Sequence, residues 1–137
     1  MRQITKQMAE AFQARRPKSN GNTTTDGISL FLHGNKIAQH APSQLGVYIS
    51  LAGWATSTTK ERLNGLLGVL GLHAYPRHSV GIHQANHVQY LGSHCGNPSM
   101  PDHKEWKMIM DPSAWYFVPF DGSQASQVES PTLQEAV

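Results

Sequence analysis

One cysteine, Cys95, stands alone in 137 residues. An internal disulfide is therefore excluded. No apolar run approaches the ~20 residues of a membrane span. The opening stretch, MRQITKQMAEAF, lacks the unbroken apolar core of a secretory signal. Charged residues are scarce at 15%, yet hydrophobic residues reach 39%, so the composition is not that of a disordered chain. The motifs that mark common chemistries are also missing. There is no C-x-x-C, no G-x-S-x-G, no G-x-x-x-x-G-K-[ST], and no G-x-G-x-x-G after a strand. Their absence removes the motif-borne cases for a zinc ribbon, a nucleophile elbow, a phosphate loop and a dinucleotide fold. A soluble protein in a reducing cytoplasm, with no membrane and no cofactor, is the expectation. At this length it builds one core.

Basic residues are absent from the C-terminal part. All eleven Lys and Arg precede Asp111, against five acids in the same 110 residues, a net +6. Residues 111–137 carry four acids and no base, a net −4. A basic body attracts nucleic acid or an acidic protein, and an acidic tail competes for the same surface.

The best-patterned stretch is Val47 to Gly71. Val47, Ile49 and Leu51 alternate with Tyr48, Ser50 and Ala52, which predicts a strand with one buried face. Thr58 and Glu61 fit a capping box, and Leu63, Leu66, Leu67 and Leu70 then share a helical face. Gly71 is placed to end that helix in a left-handed conformation. Upstream, Ile4, Met8, Ala11 and Phe12 predict an N-terminal helix over residues 3–15. Ile28–His33 and Lys36–His40 read as strands joined by a Gly34-Asn35 turn of type II′, a register that sets Leu32 opposite Ile37. Thr23–Thr25 is a candidate edge strand. Downstream, His78–His83 and Asn86–Leu91 read as a second hairpin, residues 92–101 as a loop, and Trp106–Met110 as a short last strand.

The fold class is therefore α+β. The order is an N-terminal helix, a three-stranded antiparallel meander, a second helix packed on the sheet, then a second β-hairpin and a short last strand. One sheet with helices on one face is expected. Residues 1–110 read as a single domain. Residues 111–137 read as an acidic extension with an apolar Trp115–Phe120 segment, which must dock on the body or on a partner. From Asp121 the composition predicts a disordered end.

The ITKQ…AF helix, the LFLHGNKIA and YISLAGW runs, TSTTKERLNGLL and a closing HVQYL…DHKEW together resemble a group of short uncharacterised proteins encoded by tailed bacteriophages. The likeness covers roughly Ile4 to Ile109. It implies a phage origin and a host-cytoplasm setting, and no catalytic residue. Extra residues around SHCGNPSM and the tail from Asp111 depart from the group's usual pattern.

Three functional readings follow. The first is a small non-enzymatic protein binding nucleic acid through its basic body. Lys60 and Arg62 lie in the first turn of the second helix with Thr58 beside them, where free N–H groups favour phosphate. Arg15, Arg16 and Lys18 form a second basic cluster at the end of the first helix, where the dipole alone also favours cations. The second is a binder or inhibitor of a host defence or metabolic protein, anchored by Trp115, Tyr116, Phe117 and Phe120. The third is a metal-dependent hydrolase. Six of the eight histidines fall between His73 and His103, and His87, His94, Cys95 and His103 supply candidate zinc ligands. Their spacing matches no standard site.

Overall fold

A computed structural model describes residues 2–74, 78–94 and 105–131. These form two helices and eleven strands in two antiparallel sheets, so the class is α+β. The N-terminal helix α1 spans Gln3–Gln13. Met8, Ala11 and Phe12 are buried as the periodicity requires, and Thr5 is buried with them. A polar hairpin follows, β1 (Lys18–Asn20) and β2 (Thr23–Thr25). The meander is β3 (Ser29–Leu32), β4 (Asn35–His40) and β5 (Gly46–Ser50).

The first turn of the meander differs from its expectation. The two-residue loop is His33-Gly34, both with positive φ, so Leu32 pairs with Asn35. A turn of type I′ wants two left-handed residues and matches strand twist. A bulge between Leu30 and Phe31 then restores the alternation, and Ile37 still reaches the core.

Helix α2 spans Ser57–Val69, with Leu63, Leu66 and Leu67 buried. Its cap is Thr56, not Thr58: Thr56 Oγ1 accepts from the Thr59 N–H at 3.2 Å. Glu61 does not reach back to the cap because it pairs with Arg62 and accepts from the Thr5 hydroxyl. Gly71 ends the helix at φ +84° as expected.

Beyond α2 the strands form a second, separate sheet, which corrects the expectation of a single sheet. It comprises β6 (His73–Ala74), β7 (His78–Ala85), β8 (Val88–His94) and β9 (Trp106–Ile109). Strands β7 and β8 form the predicted hairpin, lengthened so that Gly92–His94 are strand rather than loop. Both helices lie on the inner face of the first sheet, and α2 also packs against β7. Asn64 fixes that second contact. Its Oδ1 accepts from the Ile82 N–H at 2.7 Å and its Nδ2 donates to the Ile82 carbonyl at 3.0 Å, as a neighbouring strand would.

The apolar Trp115–Phe120 segment, expected to dock on the body or on a partner, docks on the body. Trp115–Pro119 is strand β10, paired along its whole length with β5. Tyr116 and Val118 are fully buried in the core. The tight seam needs Gly46, where a Cβ would collide with the Val118 carbonyl and the Phe117 ring. Part of the expected disordered end is strand β11 (Ser126–Val128), paired with β10. The first sheet thus has the order β1-β2-β3-β4-β5-β10-β11.

Two polar clusters help to tie α1 to the rest. Arg62 is 2% exposed. Its Nη1 donates to Thr5 Oγ1 at 2.8 Å and to Glu61 Oε1, and its Nε donates to Thr23 Oγ1 at 3.1 Å. His40 stacks on Phe12 with ring centroids 3.9 Å apart, and its Nε2 donates to the Phe12 carbonyl at 2.6 Å. Burial and then the Arg15 charge lower the His40 pKa below its ordinary 6.5, against the pull of the Phe12 carbonyl.

Replacing Arg62 by Ala leaves two buried hydroxyls short of a donor and is expected to cost about 2–3 kcal/mol in chemical denaturation. Arg62→Lys fails to restore it, since one ammonium lacks the planar fork that meets all three acceptors. Folded His40 binds its proton more weakly than unfolded His40. Its contribution to stability is present above pH 6.5 and lost as pH falls through the lower folded value. Denaturation midpoints measured across that window should fall with pH in the native protein and fall less in His40→Gln.

Candidate binding surfaces

Arg62, named as a phosphate contact, is withdrawn from that role because it is buried and shared between α1, α2 and β2. Lys60 is half-buried and turned toward the second sheet, donating to Gln84 Oε1 at 2.6 Å. Thr58 faces a different cavity. The basic patch expected at the start of α2 is thus divided among three sites. Arg15, Arg16 and Lys18 are all exposed. Arg15 sits at φ +56° just past the end of α1, where Arg16 N–H closes back on the Ala11 carbonyl at 2.9 Å.

The apolar C-terminal segment splits by strand alternation. Tyr116 faces the core, and its hydroxyl accepts from the Asp111 N–H at 2.6 Å. Burial raises its pKa above 10.0. Phe120 is half-buried against the core. Trp115 and Phe117 point the other way, onto the outer face of the first sheet. There Phe117 stands opposite Tyr48 with ring centroids 5.5 Å apart. Phe31 joins this face from β3, and all four aromatics are half-buried. Gln39, opposite Tyr48 on this face, is 1% exposed and accepts from Lys36 Nζ at 3.3 Å. Neither helix packs on this face. The sequence pointed to Trp115 and Phe117. It missed Tyr48 and Phe31, although Tyr48 occupied the polar phase of a clear alternation.

Of the candidate metal ligands, only His87 and His94 lie among the described residues. His87 is exposed in the Asn86-His87 turn at the start of β8, and His94 ends that strand. Seven residues of extended chain separate them by about 20 Å, too far to share an ion. Cys95 and His103 lie outside the described residues. Among the described residues no group of three or more His, Cys, Asp or Glu is placed to hold a metal. His83 instead stacks on Tyr90, which also carries Lys107 Nζ 4.3 Å above its ring centre.

Two cavities flank α2. The one between α2 and β7, about 580 Å³, is a seam bridged by the hydrogen bonds of Lys60 with Gln84 and Asn64 with Ile82. The other, about 540 Å³, opens between the β3–β4 turn and the start of α2. Leu32, Ile37 and Leu51, all buried, form its floor. Trp54 forms one wall and is 62% exposed. Ala52 and Gly53, both left-handed, make the tight turn that brings Trp54 back over the cavity, closed by the Trp54 N–H to the Leu51 carbonyl at 2.8 Å. An alanine at positive φ is strained by about 1–2 kcal/mol.

These surfaces and cavities lie on a two-sheet α+β protein. A family model, that of the Kyanoviridae Gp96 protein, matches residues 1–113. The chain belongs to this phage protein family. The match ends just before β10, so Trp115 and Phe117 lie beyond it. No curated protein and no solved structure matches the chain. No helix among the described residues is long and apolar enough to cross a membrane.

Proposed function

We propose that this phage protein is a non-enzymatic accessory factor that binds another protein, a host defence or metabolic protein, through the outer face of its first sheet. The supporting observation is the set of four half-buried aromatics, Phe31, Tyr48, Trp115 and Phe117, on a face that neither helix covers. Protein interfaces are rich in aromatic side chains and poor in charge at their centre. This face fits that description, with Lys36 already committed to Gln39. Tryptophan and tyrosine are also the residues on which binding energy most often concentrates.

Nucleic-acid binding is the second reading, favoured by the exposed run of Arg15, Arg16 and Lys18. It is weaker than the first because Arg62 and Lys60 are occupied elsewhere. The aromatic face also lacks the basic groove that follows a nucleic-acid backbone.

Capture from host lysate with nuclease present tests the first reading. A discrete protein should be retained by the native chain. Tyr48→Gln and Trp115→Gln, each with an unchanged melting profile, should each weaken its capture by about thirtyfold, the scale of a central interface anchor. Equal capture by the variants would sink the proposal. For the second reading, the combined Arg15→Ala, Arg16→Ala, Lys18→Ala variant should lower the slope of log affinity against log salt by up to about 3. An unchanged slope would exclude that cluster.

A further inference from the structure

The cavity at the start of α2 has a specific chemistry. None of its lining residues is Asp, Glu, Lys or Arg. A ligand whose binding depended on a charge would find no side chain of fixed opposite charge inside. A purely aliphatic ligand is disfavoured for a different reason. Asn35, His33 and Thr58 stand at the rim and would lose water without gaining a partner. Thr56 is spent on the cap and on Thr59 Oγ1. What remains is an apolar floor, an indole face held largely in solvent, and a few neutral donors and acceptors at the edge. That combination suits a flat, neutral ring with polar edges. The volume, about 540 Å³, lies within the usual range for small-ligand sites.

We infer that this cavity binds a nucleobase. The ring lies against Trp54 over Leu32, Ile37 and Leu51, and Asn35 and Thr58 meet its edge. The base belongs either to a free nucleoside or to a single-stranded nucleic acid; the chemistry recognised is the same. This inference does not rest on the protein-binding face, which lies on the opposite side of the first sheet.

The test uses the full chain, labelled so that the indole N–H of Trp54 is followed by nuclear magnetic resonance. Adenosine, cytidine and the base-free control ribose 5-phosphate are titrated separately. At least one nucleoside should shift the Trp54 resonance saturably, and ribose 5-phosphate should not. Affinity read by calorimetry should fall about tenfold or more in Trp54→Ala and return in Trp54→Phe, because the stack needs a ring and not an indole. Asn35→Ala or Thr58→Val should weaken it about fivefold, the loss of one edge hydrogen bond. A ten-residue oligodeoxyadenylate distinguishes the sources. Tighter binding than adenosine, still dependent on Trp54, assigns the base to a strand; equal or weaker binding assigns it to the free nucleoside. No binding of either nucleosides or oligonucleotide, undiminished binding in a folded Trp54→Ala, or equal binding of ribose 5-phosphate would overturn the inference.

Discussion

A guanidinium taken out of water is costly unless every donor it turns inward finds an acceptor. Arg62 meets that condition with groups from three elements: Thr5 on α1, Glu61 beside it on α2, and Thr23 on β2. The planar fork fixes distance and angle together, so α1 cannot slide along α2 without breaking the set. Around it pack Met8 and Phe12 from α1 and Leu63, Leu66 and Leu67 from α2. The apolar contacts supply most of the favourable free energy, while the guanidinium sets the register in which they meet. Asn64, two residues further along and therefore on the opposite side of α2, repeats the device toward the second sheet by standing in for a strand at Ile82. One helix thereby holds the other helix and both sheets.

Much of the core was legible from alternation and helical periodicity. Val47, Ile49 and Leu51, and the leucines of α2, occupy the positions their spacing requires. The β3–β4 turn was read one residue late, because His33 takes a left-handed conformation usually assigned to Asn or Gly. Arg62 escaped because a cation in the first turn of a helix reads as surface. Nothing local signals that two threonines, one 57 and one 39 residues away, will accept from it. The second sheet was visible as a hairpin but not as a separate layer, since pairing partners across long loops leave no mark in a single sequence. The same holds for β10, whose apolar run announced burial without naming β5.

The C-terminal strands change what the first sheet presents. Without β10, β5 would expose its free backbone edge, a standing invitation to unwanted pairing. With it, the edge moves out to β11, three residues long and carrying Ser126 and Gln127. Trp115 and Phe117 then extend an aromatic surface begun by Tyr48. One face of β10 completes the interior while the other carries half-buried aromatic rings.

The pairing of β5 with β10 joins residues 65 to 73 positions apart in the sequence. On a ribosome adding about 5–20 residues each second, the partner of β5 emerges several seconds after β5 itself. For that interval the nascent sheet ends in an open edge, with Val47 and Ile49 waiting for Tyr116 and Val118. Helices and hairpins form in microseconds, but this long-range closure must await nearly the whole chain. Order of synthesis therefore gates the final assembly: a late strand, β10, is inserted beside the much earlier β5, and the aromatic face is completed only at that moment.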